Sequence, residues 1–182
     1  MACPVTRNRW PVAAALCLLA LAPVPVPPKP ERGRAGADCR AGEPGPALAV
    51  DVLGMKDRRG ALYLELYPDN DRDFLAADKD LIAQGKPFRR VPLAPIPAGH
   101  VELCIRAPET GRYALIVLHD RDGDGKFGVW SDGIGFPGRA GALHGRPSAH
   151  AAAIEIGPGV GTVRVILAYR RGFRFDSLAS AS

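Results

Sequence analysis

The stretch YALIVLHDRDGDGKFG, residues 113–128, places the most apolar run of the chain directly before alternating aspartate and glycine. A short apolar run bounded by turn-forming residues is typical of a β-strand. The residues that follow show no helical pattern, so the aspartates lie in a loop. The stretch therefore predicts a central strand that ends in a polar, glycine-rich loop.

The sequence before this strand contains two alternating segments, ALAVDVLG and GALYLELY. In the second segment Leu62, Leu64 and Leu66 share one face, and Tyr63 and Tyr67 share the other. This period of two is typical of strands with one buried face. The polar turn MKDRRG separates the segments, so we predict that they form a hairpin.

Four further apolar segments, RRVPLAPI, HVELCIRA, AAAIEIG and TVRVILAY, complete a series of seven short strands. The charged stretch before RRVPLAPI has room for one helical turn near residues 74–81, and no longer helix is expected. Seven short strands separated by glycine and proline predict a seven-stranded antiparallel β-sandwich of immunoglobulin or prealbumin-like type. The domain is expected to cover residues 47–170, followed by a frayed C-terminal tail at 171–182.

A proline-bearing corner, APETG, precedes Tyr113 at the start of the central strand. A tyrosine in this position can donate its hydroxyl back across the corner, as in sandwich folds. Alternatively, Tyr113 is an ordinary strand residue on a half-buried face.

The N-terminus resembles an export signal. A basic start, MACPVTRNRW, precedes the 12-residue apolar run PVAAALCLLALA, which is short of the roughly 20 residues that span a bilayer. We predict a signal peptide over residues 1–22, with cleavage as late as residue 37, and a proline- and glycine-rich lead-in over 23–46. The protein is therefore expected to be periplasmic or secreted.

The net charge of +5 owes much to arginines in the N-terminal segment. The remaining domain has scattered arginines rather than one basic face, which argues against nucleic-acid binding. A monomer is expected, and its partner, an envelope polymer or another protein, is not identified by the sequence.

Two cysteines, Cys39 and Cys104, lie outside the signal segment. In an oxidising compartment they predict one disulfide, although two buried thiols are the alternative. The thiols are far apart in sequence and the histidines show no ligand spacing, so zinc is not expected.

Several motifs together resemble domain-of-unknown-function family 2141, a group of exported bacterial β-sandwich proteins. They are GxxxxxGxLYLELY, PxxGRYALIVLHD, the D-G-D-G-K loop and GTVRVILAYR. The resemblance covers residues 47–170 and is most specific at YALIVLHDRDGDGKFG, where members alternate Asp or Asn with Gly. Many members have a longer glycine- and proline-containing segment that ends in Gly-Tyr-Gly-Phe, and in this sequence GIGF, at 133–136, stands in its place. The resemblance implies a fold and an exported location, but no reaction.

The aspartate loop has the spacing with which a calcium loop begins. Aspartates at the first, third and fifth positions, then Gly125 at the sixth, can direct several oxygens to one point. The twelfth position is Ser131, where a glutamate normally completes the site, and an aspartate follows one residue late. The candidate ligands are Asp120, Asp122, Asp124, Lys126 through its carbonyl oxygen, and Asp132. Phe127 is expected to anchor the loop in the core.

The alternative is a shape-determining Asp-Gly turn that holds no ion. The sequence therefore predicts no cofactor or, alternatively, calcium.

An enzymatic interpretation would use His119 with the neighbouring aspartates as acid or base groups. No nucleophile–base pair accompanies it, and a lone histidine at a strand end is more often a packing or capping residue. Trp130 and Phe136 would line a shallow pocket for a sugar or peptide, or Trp130 would cover the end of the core.

The sequence therefore predicts an exported, non-catalytic binding or structural module whose functional end is the loop at 119–136. The first alternative is a calcium-dependent protein that binds a carbohydrate or an envelope polymer. The second is a small hydrolase that uses His119.

Overall fold

The computed structural model describes residues 36–138 and 145–178. The predicted signal peptide at 1–22 and the first part of the lead-in lie outside the described residues. Within them no helix is both long and apolar enough to cross a membrane. The elements in chain order are β1 Ala47–Leu53, β2 Ala61–Pro68, α1 Asp78–Ala83, β3 Arg89–Leu93, β4 Glu102–Arg106, β5 Gly111–Asp120, β6 Gly133–Gly135, a 3-10 turn His150–Ala152, β7 Ala153–Ile156, β8 Val160–Ile166, β9 Ala168–Arg171 and β10 Arg174–Ser177.

The strands form two sheets, which confirms the prediction of a chain that is nearly all β. One sheet has the order β4-β1-β8, and the other has the order β10-β9-β6-β5-β2-β3, with β7 paired to β5. The described residues form ten strands rather than seven. Strand β1 runs parallel to β8, so the prediction of purely antiparallel pairing is wrong for this pair. Because a long stretch of chain separates these strands, no hairpin constrains their direction.

The predicted hairpin between β1 and β2 is wrong. Strand β1 pairs with β4 and β8, whereas β2 pairs with β3 and β5 in the other sheet. The alternation in a strand shows only that one of its faces is buried. A second sheet packed on that face buries it whether or not the strand forms a hairpin with the next one along the chain. The polar turn therefore carries the chain from one sheet to the other.

The C-terminal part of the chain contains two features that the sequence did not predict. The segment TVRVILAY divides at Leu167, with β8 in the smaller sheet and β9 in the larger one. The predicted tail then returns as β10, which pairs with β9. Gly172 adopts φ +62°, the left-handed conformation that the tight turn between these strands requires. The domain therefore continues beyond Arg170.

Strand β5 is buried on both faces, and its alternate residues belong to two different cores. Leu115 and Val117 pack with side chains of both sheets. Ala114 and Ile116 belong to a second cluster on the opposite face of the larger sheet. That cluster is covered by the charged stretch between β2 and β3, which contributes Phe74, Leu81 and Phe88. The helix predicted near 74–81 lies slightly later, at Asp78–Ala83.

Two links join the smaller sheet to its surroundings. The Tyr113 hydroxyl donates to the carbonyl oxygen of Glu109 at 2.9 Å, so the first of the two interpretations of this tyrosine is correct. The predicted disulfide between Cys39 and Cys104 is confirmed, with Cα atoms 5.8 Å apart. It fastens the end of the lead-in to β4.

Candidate functional site

The aspartate loop leaves β5 and returns directly as β6. His119 and Asp120 are the last residues of β5, and Gly133 pairs with His119. A Cβ atom on Gly133 would lie 2.4 Å from the Tyr169 ring, so only glycine allows this close return. The loop is therefore closed at its base by strand pairing.

Asp120 shapes the first half of the loop from inside it. Its side chain is fully buried, and its two carboxylate oxygens accept the backbone N–H groups of Gly123 at 2.8 Å and Gly125 at 2.9 Å. Both glycines adopt positive φ, +75° and +76°. The carboxylate and the glycines together define the turn.

Asp132 closes the second half of the loop. Its side chain is 1% exposed, and its oxygens accept the N–H groups of Arg121 at 2.9 Å and Gly128 at 2.7 Å. It lies outside the cluster of potential ligands described next. Its contacts are those of a clamp that joins the two ends of the loop.

The other three aspartates converge, as the spacing predicts. Asp120, Asp122 and Asp124 each offer one oxygen, and these oxygens lie within 4.8 Å of one another. The hydroxyl of Ser131 helps to hold the pKa of Asp122 below its ordinary value. Three carboxylates supply part of the six to eight oxygens that calcium takes. Lys126, the predicted carbonyl ligand, donates its N–H to Asp124 at 2.8 Å.

His119 is fully buried, and both its ring nitrogens have partners. Its Nε2 lies 2.9 Å from the carbonyl oxygen of Arg59, and its Nδ1 lies 2.6 Å from the Tyr169 hydroxyl. The hydroxyl also accepts the N–H of Lys56 at 3.1 Å. These partners assign the neutral tautomer with the proton on Nε2, and the Tyr169 hydroxyl donates to Nδ1. Burial lowers the pKa of His119 and raises that of Tyr169 to about 12, which favours the uncharged form of both side chains near neutral pH.

Arg121 ties the loop to the turn between β1 and β2. Its guanidinium binds the Asp57 carboxylate through two nitrogens and donates to the carbonyl oxygen of Ser131. The hydrogen bond from Arg121 holds the pKa of Asp57 below its usual range. The loop is therefore held at its base by hydrogen bonds as well as by strand pairing.

The predicted aromatic residues take different positions. Trp130 is 78% exposed, and the guanidinium of Arg170 lies 3.7 Å from its ring centroid. It is not a cover for the core. Phe136 is buried in the second core cluster and is not a pocket residue. Phe127 does not anchor the core as expected: it is 44% exposed and lies against Phe175, with the ring centroids 6.1 Å apart.

Phe127 forms part of the wall of a cavity that the sequence did not predict. The cavity has a volume of about 930 Å³ and lies on the outer face of the larger sheet. Residues from β2, β5 and β6 form its floor, including Tyr67, Ile116 and Ile134. Segments at 75–78, 125–129 and 145–147 and the β9–β10 hairpin surround it.

A buried polar network lies at one end of this cavity. Glu65 is 2% exposed and accepts from Arg90 Nε at 2.5 Å and from the Tyr67 hydroxyl at 2.7 Å. Arg90 also donates to Asp78 at 2.6 Å. Burial and the adjacent carboxylate raise the pKa of Tyr67. The sequence contained one indication of this network. The alternation of β2 places Glu65 between two tyrosines on the face opposite the leucines.

One comparison with known proteins gives a match. A family model described as an uncharacterised protein conserved in bacteria (DUF2141) matches residues 50–164. This range includes the aspartate loop, Glu65 and Arg90, but ends before the β9–β10 hairpin. No curated protein and no solved structure matches the chain.

Proposed function

The chain belongs to this uncharacterised bacterial family, DUF2141, and from that premise we propose that it is an exported, non-catalytic module that binds a small molecule. The observation that carries the proposal is the cavity of about 930 Å³ on the outer face of the larger sheet. Ligand pockets are typically about 300–1,000 Å³, mostly apolar, and contain a few polar groups. The loop at 119–136 takes part because its segment 125–129 forms one wall.

The proposal includes a location and a fold type. The Cys39–Cys104 disulfide is of the kind that persists in oxidising compartments, which supports a periplasmic or secreted protein. Two sheets that share one core support an immunoglobulin or prealbumin-like sandwich. The signal peptide and the monomeric state are part of the same proposal.

A binding role fits the contacts of the polar groups better than catalysis does. The one histidine at the loop is buried, and both its ring nitrogens are bonded. It does not line the cavity. In the cavity, Glu65 is paired with Arg90 and Tyr67. These contacts leave the hydrolase alternative without an available acid or base at His119.

A pocket-filling variant tests the proposal. Ala76 lines the cavity and is partly buried, so Ala76→Trp should fill the space and prevent binding of the neutral apolar dye N-phenylnaphthylamine. The control is Ala98→Trp, which adds the same side chain to an exposed loop between β3 and β4. We expect the wild type and the control to bind the dye saturably, with fluorescence loss only in the Ala76 variant. Absence of binding to wild type, or equal binding by both variants, would overturn the proposal.

A second candidate function is calcium-dependent binding of a carbohydrate or envelope polymer. Two observations favour it. The oxygens of Asp120, Asp122 and Asp124 converge, and Trp130 is largely exposed, so that a sugar can stack on the ring face that Arg170 does not cover. Extracellular calcium modules bind with Kd values of about 10⁻⁴–10⁻³ M. A site at the tighter end would stabilise the fold by about 2.7 kcal/mol in roughly 10 mM calcium.

Thermal unfolding with calcium and with a chelator tests this candidate. We expect a higher midpoint in calcium for wild type and no difference for Asp122→Asn, which keeps the side chain's size but removes its charge. The matched control is Asp69→Asn, an acidic residue outside the loop. An identical midpoint for wild type in both solutions would exclude the candidate at these affinities.

A further inference from the structure

We propose that the ligand of the cavity is an amphipathic anion, with a single apolar chain and a carboxylate- or phosphate-like head group. This inference rests on the proposed binding function and adds the chemical class of the ligand. The walls of the cavity account for the apolar chain, and the charges at its margin account for the head group.

The walls of the cavity are mainly apolar. Ile116, Leu118 and Ile134 form the floor, and Leu75, Phe127 and Phe175 contribute to the sides. Because the favourable free energy of burial grows with the apolar area removed from water, such walls favour a hydrocarbon body. A free inorganic anion would leave most of this surface uncovered.

The carboxylates of the cavity are already neutralised in part. Glu65 and Asp78 are its only acidic lining residues in the described part of the chain, and both bind the same guanidinium, that of Arg90. Glu65 is buried and both its oxygens accept hydrogen bonds. The group of Glu65, Asp78 and Arg90 therefore carries one net negative charge, and each of its carboxylates is paired with the guanidinium.

Three other lining residues are cations that form no ion pair with any described residue: Lys126, Arg146 and Arg170. Arg146 donates to the carbonyl oxygen of Phe74. Arg170 donates to the carbonyl oxygen of Gly172 at 2.8 Å, and its guanidinium lies over the uncharged ring of Trp130. A guanidinium has five N–H donors, so these bonds leave further donors. Neutral carbonyl partners also leave the positive charges in place.

The balance of charge therefore favours an anionic head. Among the lining residues, three unpaired cations outweigh the single net negative charge of the Glu65 group, and the aspartates of the loop do not line the cavity. The three cations lie on the segments that surround the cavity rather than on its floor. An amphipathic ligand would lay its chain on the floor and its head at this margin. Charge-assisted hydrogen bonds from arginine to carboxylate or phosphate are the strongest of the available contacts.

Three ligands with the same chain and different heads test the inference: decanoate, decanol and decyltrimethylammonium. In isothermal titration calorimetry we expect decanoate to bind about tenfold more tightly than decanol, a difference of about 1.4 kcal/mol. Decyltrimethylammonium should bind most weakly. Because salt screens exposed charges, the preference for decanoate should shrink at roughly 1 M salt.

A charge-reversal variant makes the test specific. Lys126→Glu with Arg146→Glu should reverse the order, so that decyltrimethylammonium binds more tightly than decanoate. Both side chains are exposed, and folding of the variant is checked by circular dichroism. The control is Arg164→Glu, an exposed arginine on the smaller sheet, which should keep the wild-type order.

The outcomes separate this inference from the proposed function. Equal binding of decanoate and decanol to wild type, with N-phenylnaphthylamine still bound, would overturn the anionic head and leave the binding function in place. Absence of binding by all three ligands and by the dye would overturn both. Sedimentation with anionic phospholipid vesicles, without binding of free decanoate, would also refute the single-chain ligand.

Discussion

Replacing Asp132 with asparagine distinguishes a clamp in the loop from a calcium ligand. The side chain keeps its size, so no cavity forms. In the wild type each carboxylate oxygen accepts one backbone N–H, from Arg121 at 2.9 Å and from Gly128 at 2.7 Å. Asparagine can accept only one of them and places its own NH₂ group against the other.

The expected loss follows from these two bonds. A hydrogen bond to a charged group contributes about 1.5–3 kcal/mol, and a buried donor left without a partner adds a cost of similar size. The side chain is 1% exposed, so water does not replace the lost acceptor. We expect Asp132→Asn to lower the free energy of unfolding by about 3 kcal/mol.

Urea unfolding followed by circular dichroism measures this loss, with wild type and variant compared in calcium and in chelator. The slope of free energy against urea should be unchanged, since the variant exposes the same surface on unfolding. The control is Asp124→Asn, whose amide oxygen can still accept the exposed N–H of Lys126, and in chelator it should stay within about 0.5 kcal/mol of wild type.

Two results would refute the reasoning. A loss below about 1 kcal/mol in chelator would show that the two bonds do not clamp the loop. A loss that occurs only in calcium would show that Asp132 acts as a ligand instead.

Three further predictions concern the fold. Tyr113→Phe removes the bond to the Glu109 carbonyl oxygen and should cost about 1 kcal/mol in urea unfolding; an unchanged midpoint would mean that the corner bond is not stabilising. Reduction of Cys39–Cys104, separated by 65 residues, should cost about 4 kcal/mol on the chain-entropy model, seen as a lower midpoint in dithiothreitol; equal midpoints with and without reductant would contradict this. Burial lowers the pKa of His119, so the unfolded chain binds a proton that the native state excludes. The free energy of unfolding should therefore fall as the pH decreases through the unfolded-state pKa of about 6.5. His119→Gln should reduce the change in this free energy, measured by urea unfolding, between about pH 7.5 and pH 5.5; an unchanged pH dependence in the variant would contradict a lowered pKa for His119.

Most of the strands could be predicted because their signal is local. Leu62, Leu64 and Leu66 alternate with polar or aromatic residues. An alternation with a period of two identifies the face of the strand that is buried. The run that contains Leu115 and Ile116 lacks polar alternation, which agrees with a strand buried on both faces. The pairing of strands was not local, and the hairpin predicted for β1 and β2 does not form.

Some features of the candidate site could likewise be predicted from local sequence, and others depended on the tertiary structure. The spacing of Asp120, Asp122 and Asp124 sufficed to predict that their carboxylates converge, because neighbours in a tight loop share one short turn. The clamp role of Asp132 depends on how β6 returns along β5, and its spacing alone suggested a ligand. Glu65 was visible only as one polar residue on an alternating strand.

The sequence by itself indicated most of the strands, the two cysteines that can pair and the convergence of three aspartates, since each follows from residues that are adjacent or few. Strands β6 and β10 were not predicted. Only the tertiary structure decided which surface covers each apolar face. It packs Phe74, Leu81 and Phe88 onto the outer face of the larger sheet and thereby frames the cavity. The physical reason is that burial of apolar surface is non-directional: alternation demands a cover but does not specify which part of the chain provides it.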